Sequence, residues 1–119
     1  MTILEFEKEY TLRLSELVDR KISEMTSDKS IHYNKLFQKH IENGSEINYK
    51  ANTFIFDIFK DNNLDFSHPL IPGYPNQPIN SFLYQKLIPT QKSEIERYEE
   101  LTKPHLLEAL NRDFPDHQG

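Results

Sequence analysis

The sequence predicts an all-α fold, a compact and irregular bundle of about five to six helices in one domain over residues 1–119. A proline-rich connecting loop is expected over 62–80 and a frayed tail over 114–119. Two observations predict this fold. Residues that start or stop helices divide the chain at several points. In addition, the apolar run over 46–60 has helical spacing, which places five side chains on one face: Ile47, Ala51, Phe54, Ile55 and Ile58.

The segment 46–60 is predicted to be the central helix of the domain. Tyr49 and Phe56 project from roughly the opposite side to the apolar stripe, and Phe59 lies on the flank. A helix that is apolar most of the way round usually packs on two faces and is therefore central. A strand over 53–59 is the alternative, because β-branched and aromatic residues are frequent there. Helix is favoured, and either structure would be buried.

The N-terminal region predicts one long helix. Thr2 and Glu5 have the spacing of a capping box, in which the threonine side chain accepts a hydrogen bond from the backbone of the third helical residue. Seven apolar residues fall within one arc of the helix: Ile3, Phe6, Tyr10, Leu14, Leu17, Val18 and Met25. Leu12 lies on the far side and should be exposed. A turn is expected over 26–28, where several side chains can cap a following helix.

The second helix is expected to begin near Lys29 and to end at Asn43 and Gly44, since glycine readily adopts the left-handed cap conformation. Ser45 would then cap the central helix. The apolar face of this second helix is predicted to contain Tyr33, Leu36, Phe37 and Ile41, with His40 among them.

The loop over 62–80 contains a proline at every third position from Pro69 to Pro78, a spacing that excludes a regular helix. Pro72 and Gly73 predict a type II turn. The apolar residues of this loop favour a structural strap packed across the helices. The alternative is a rigid loop that presents Tyr74 to a partner, as aromatic anchors do at interfaces.

The C-terminal third is predicted to contain three short helices separated by prolines. Asn80 or Ser81 would cap the first, which Pro89 would end. Thr90 would cap the second. A third would begin with Thr102 as its N-cap and Pro104 in its first turn, and a kinked continuous helix is the alternative.

Composition excludes several classes of function. The chain has no cysteine, which excludes disulfides and thiolate chemistry. Its 19 acidic and 14 basic residues give a net charge of -5, which opposes the phosphate backbone of nucleic acids. The acidic N-terminus lacks the pattern of a signal peptide, and no apolar run approaches the roughly 20 residues that cross a bilayer. A cytoplasmic location without membrane contact is expected.

No catalytic motif or cofactor-binding motif is present, so neither a catalytic residue nor a bound cofactor or metal is expected. His32 and His40 lie two helical turns apart, too far for a paired ligand set, and a histidine on an apolar face is more often hydrogen-bonded in a core. The chain has one basic stripe, formed by Lys29, His32, Lys35 and Lys39. Because this stripe lacks arginine and the chain is acidic overall, nucleic-acid binding is not favoured.

These observations favour a small acidic protein-binding module that acts without catalysis, such as an inhibitor, an immunity protein, an antitoxin-like protein or an accessory subunit. Its partner would be another protein, and a basic one would suit the net charge. The contact candidates are Tyr74 and the acidic face Glu96, Glu99 and Glu100. The alternatives are a homodimer formed through Tyr49 and Phe56 and, less favoured, a metal-binding or nucleic-acid-binding helical domain.

Overall fold

The computed structural model describes the backbone of residues 1–64 and 79–118, and the side chains of 1–64 and 83–116. These parts contain no strand. They form three α-helices and a final 3-10 turn: α1, Ile3–Thr26; α2, Tyr33–Asp61; α3, Ile79–Asp113; and the turn Pro115–Gln118. The proline repeat, the turn at Pro72 and Gly73, and Tyr74 lie outside the described residues.

The prediction of an all-α fold is confirmed, but the prediction of a compact bundle of five to six helices is wrong. Three long helices account for the described parts of the chain, and each packs against the other two. The molecule is elongated, with principal dimensions of 62 × 25 × 17 Å. At 1.5 Å per residue, the 35 residues of α3 alone extend for about 50 Å.

The predicted break at Gly44 does not exist. Helix α2 begins at Tyr33 rather than near Lys29, and it continues through Gly44 and Ser45 to Asp61. A glycine within a helix is less favourable than alanine by about 1 kcal/mol. The burial of Leu36 and Ile47 on either side of it stabilises α2 by more than that difference.

The predicted breaks in the C-terminal third are also wrong. Helix α3 begins at Ile79, ahead of the proposed caps, and continues past Pro89 and Pro104. Both prolines are exposed, so water can bond the carbonyls that lose their intrahelical partners. Thr102 is fully buried, and its hydroxyl donates to the Tyr98 carbonyl at 2.7 Å instead of capping a new helix.

The N-terminal helix agrees with its prediction. The Thr2 hydroxyl accepts a hydrogen bond from the Glu5 amide at 3.1 Å. Leu12 is 53% exposed, and the predicted apolar arc from Phe6 to Met25 is buried, with Ile3 packing at its edge.

The central segment is helical, as predicted. Ile47, Ala51, Ile55 and Ile58 are buried, whereas Phe54 is half-buried. Phe59, which was placed on the flank, is buried against Phe6, with 5.1 Å between the ring centroids. The core therefore uses a wider arc of this helix than the predicted stripe.

Polar contacts fix the three helices relative to one another. The buried Tyr10 hydroxyl and the Gln91 amide both donate to the carbonyl of Ala51, which joins α1, α3 and α2 at one point. Further along, Arg97 of α3 donates to the Asp19 carboxylate at 2.6 Å and to the Ser15 carbonyl at 3.2 Å. These bonds connect residues that are distant in sequence, so they specify how the helices align.

The end of α3 holds the loop between α1 and α2. Arg112 donates to the carbonyls of Lys29 and Ile31. Asp113 accepts a hydrogen bond from the Tyr33 amide at 2.8 Å, so its carboxylate caps the first turn of α2. The Arg112 side chain and the Tyr33 amide lower the pKa of Asp113 to about 2.

We expect this carboxylate to contribute to acid sensitivity. Its pKa in the folded chain lies below the ordinary value of 3.8, so its contribution is complete above pH 3.8 and is lost as pH falls toward 2. Asp113→Asn should therefore show a smaller loss of unfolding free energy than the wild type between about pH 4 and 2. Urea unfolding at several pH values measures this difference, and identical slopes for the two proteins would contradict it.

Candidate functional site

One concave feature in the described part of the chain is a groove between α2 and α3. His40, Ile41, Gly44 and Asn48 form one wall, and Ile95 and Glu99 form the other. The groove has a volume of about 270 Å³ and is open to solvent. We call it the α2–α3 groove.

His40 and Tyr98, which both line the α2–α3 groove, are held together by ring stacking and a hydrogen bond. Their rings stack with 5.1 Å between centroids and an angle of 9° between planes. The Tyr98 hydroxyl donates to the His40 carbonyl at 3.0 Å. Burial lowers the pKa of His40, and the nearby Glu99 carboxylate partly offsets this effect. A neutral imidazole is therefore the favoured form at pH 7.

An exposed apolar ridge leads into the groove from the start of α2. Phe114 meets the Tyr33 ring edge-on at 5.9 Å, and Tyr33 stacks with Phe37 at 5.7 Å. Ile41 follows one helical turn later and reaches the groove. Phe37 is 44% exposed and Ile41 51% exposed. We call Phe114, Tyr33, Phe37 and Ile41 the apolar ridge. Tyr33 is half-buried against the core, and Ile41 is the residue that connects the ridge to the groove.

The acidic candidates lie on the α3 side of the same region. Glu96, Glu99 and Glu100 are all exposed, and none forms an ion pair with another described residue. Glu99 is part of the groove wall. Glu94, by contrast, pairs with Arg97 at 2.7 Å. The structure thus brings one of the three candidates directly to a concave surface and leaves the other two beside it.

Tyr49 and Phe56 lie elsewhere. They share the outer face of α2, as their spacing predicts, and they are 66% and 49% exposed. Neither lines the α2–α3 groove. Tyr74 belongs to the residues that are not described.

The site residues predicted from the sequence do not include Phe37, Ile41, Gly44 or Ile95. The sequence predicts an apolar helix face for Phe37 and Ile41 and a helix end for Gly44. One signal could have indicated the ridge. Leu36, Tyr33, Phe37 and Ile41 cover about 140° of a helix, since successive residues are about 100° apart, and this arc is wider than the minimum of about 100° for a core-facing stripe.

The alternative ligand sites are not assembled in the described residues. No group of three or more metal-binding side chains is present there. His32 accepts a hydrogen bond from the Asn34 amide, and its ring meets the Phe114 ring edge-on. The basic stripe is divided, because Lys29 and His32 precede α2 and Lys39 donates to the Glu24 carbonyl of α1.

No helix within the described ranges has the length and apolar character that crossing a bilayer requires. No protein-family model, no curated protein and no solved structure matches the chain.

Proposed function

We propose that this chain is a small protein-binding module that acts through the α2–α3 groove and the apolar ridge, without catalysis. The observation that supports this proposal is the continuity of the exposed ridge with the groove. Exposed apolar surface that is contiguous and adjoins a concave site is typical of an interaction surface rather than of a solvated helix face. An inhibitor, an immunity protein or an accessory subunit would use such a surface.

The arrangement resembles the centre of a protein interface in its chemistry. Aromatic and aliphatic groups, Phe37 and Ile41 among them, lie next to polar groups that are accessible to solvent. Interfaces commonly combine an apolar centre with a polar rim, and a few buried aromatic anchors carry most of the binding energy. The unpaired carboxylates would form part of the rim and would accelerate encounter with a basic partner.

A matched pair of substitutions tests this proposal. Ile41 and Leu12 are almost equally exposed, at 51% and 53%, but Leu12 lies on α1 in a shallow depression away from the groove. We expect wild-type protein and Leu12→Asp to retain the same protein from a lysate of the source cells. Ile41→Asp should lose at least about tenfold of that binding, because a charge at an apolar anchor loses more than about 1.4 kcal/mol.

Circular dichroism and thermal unfolding serve as the control, since both variants should keep the helical content of the wild type. Retention of the same protein by Ile41→Asp, or its loss by Leu12→Asp, would contradict an interaction through the groove.

A second candidate is a homodimer formed through the outer face of α2. The exposure of Tyr49, 66%, is the highest among the large hydrophobic side chains of the described residues. Sedimentation at several concentrations tests it with Tyr49→Glu as the variant. A wild-type dimer that dissociates in Tyr49→Glu would support self-association. A wild-type protein that is monomeric at every concentration would contradict the homodimer.

A further inference from the structure

The α2–α3 groove has a shape that selects the kind of segment it can bind. The surface from Tyr33 to Asn48 follows 16 residues of α2, a length of about 22 Å. Helix backbones bond their donors and acceptors internally, so the walls of this groove offer no edge to which an extended peptide could add a strand. A helical segment satisfies its own backbone and can place side chains at every third or fourth residue into the groove.

Gly44 lies in the α2 wall of the groove and has no side chain, so the wall is lower at this position than at its neighbours. Among the described residues, a Cβ atom at this position would meet only Tyr98 Cε1, at 3.9 Å, which is an ordinary contact distance. Packing within the chain therefore does not require glycine here, although alanine would stabilise the helix. A position without a side chain would let the backbone of another chain approach α2 closely.

The charges next to the groove indicate the sign of the partner. Glu96, Glu99 and Glu100 have no ion-pair partner among the described residues. Lys92 and Lys103 lie one turn from them on α3, and neither is within ion-pairing distance of their carboxylates. A second copy of this chain is itself acidic, with a net charge of -5 over its whole length. Charge complementarity thus favours a positively charged partner.

We propose that the α2–α3 groove binds a basic amphipathic helix of a partner protein. The apolar face of that helix lies over Ile41 and Ile95, its backbone passes closest to α2 at Gly44, and a lysine or arginine pairs with Glu99. This inference rests on the proposed function and specifies the class of partner.

The probe is a synthetic amphipathic helix of about 18 residues, with leucine at i, i+4, i+7 and i+11 and lysine on its flanks. A control peptide has glutamate in place of every lysine. Titration into isotopically labelled protein, followed by NMR, should shift the amide signals of Gly44, Asn48 and Ile95 with the lysine peptide and not with the glutamate peptide. The shifts also give the dissociation constant.

Two variants distinguish recognition from stability. Gly44→Ala should unfold at a higher temperature and yet bind the lysine peptide about fivefold or more weakly, because an added methyl group overpacks a close contact. Glu99→Gln should bind about two- to fivefold more weakly and should lose part of its salt dependence. Glu16→Gln, an exposed glutamate of α1, is the control and should bind as the wild type does.

Several outcomes would overturn the inference. The first is that the amide signals of groove residues do not shift at millimolar concentrations of the lysine peptide. The second is that the two peptides bind equally well, and the third is that Gly44→Ala binds the lysine peptide as tightly as the wild type. The fourth is that the protein self-associates as its concentration rises and that this shifts the same amide signals. The two proposals fail separately. If Ile41→Asp loses a cellular partner while the lysine peptide does not bind, only the class of partner is wrong. If Ile41→Asp loses no partner, the proposed function fails too.

Discussion

Ile47→Ala should lower the free energy of unfolding by about 2–5 kcal/mol, whereas Tyr49→Ala should change it by less than about 0.5 kcal/mol. The two residues lie two positions apart on α2, so they have the same helical context. Ile47 is 1% exposed and belongs to the core formed by all three helices, while Tyr49 is 66% exposed. The truncation at Ile47 removes apolar contacts and leaves a cavity, and the truncation at Tyr49 mainly returns surface to water.

Urea unfolding of both variants measures this difference. Since the folded structure is retained, the dependence on urea should be the same in each, and only the midpoint should move. Comparable losses at the two positions would contradict the assignment of 46–60 as a helix with one buried face. A loss at Tyr49 alone would place the outer face of α2 in an interface, which is the outcome that the homodimer alternative requires.

Features that depend on residues close together in sequence could be predicted, whereas features that depend on tertiary packing could not. The buried stripe around Ile47 could be predicted because its period is local, and the cap at Thr2 could be predicted because its two residues are three apart. The breaks at Gly44, Pro89 and Pro104 were wrong for one shared reason. Local preference against helix at these residues amounts to about 1–3 kcal/mol, and packing of the flanking turns outweighs it.

The candidate site depends on contacts between distant parts of the chain. Ile41 is exposed because α3 leaves a groove beside it, and no local pattern indicates where α3 will lie. The same holds for the acidic residues. Glu94 pairs with Arg97, which also reaches Asp19, 78 positions away in sequence. Which glutamates remain without a partner therefore follows from the tertiary structure and not from the composition of the segment.

The chain should lose stability at high pH through two buried tyrosines. Burial raises the pKa of Tyr10 and the pKa of Tyr98 to about 12, from an ordinary value of 10.0. The neutral forms are thus favoured in the folded chain. The contribution of each residue is complete below pH 10 and is lost as pH rises toward 12. A shift of this size corresponds to roughly 2–3 kcal/mol for each residue.

The variants Tyr10→Phe and Tyr98→Phe test this prediction, because their stability should depend on pH differently from that of the wild type. Near neutral pH each variant should be less stable than the wild type by about 1 kcal/mol, since the hydroxyls bond the carbonyls of Ala51 and His40. Above about pH 11 the order should reverse, because phenylalanine has no proton to lose on unfolding. Lysines also titrate in this range, but they are common to all the proteins and cancel in the comparison.

Unfolding free energies measured across this pH range should therefore give curves that cross. Tyrosinate absorbance provides an independent measurement, since Tyr10 and Tyr98 should ionise near pH 12 in the folded chain and near the ordinary value of 10.0 once the chain unfolds. Parallel curves for the wild type and the phenylalanine variants would show that the two hydroxyls are accessible to hydroxide ion in the folded chain. The packing of α3 against α1 and α2 around these rings would then be looser than the structure describes.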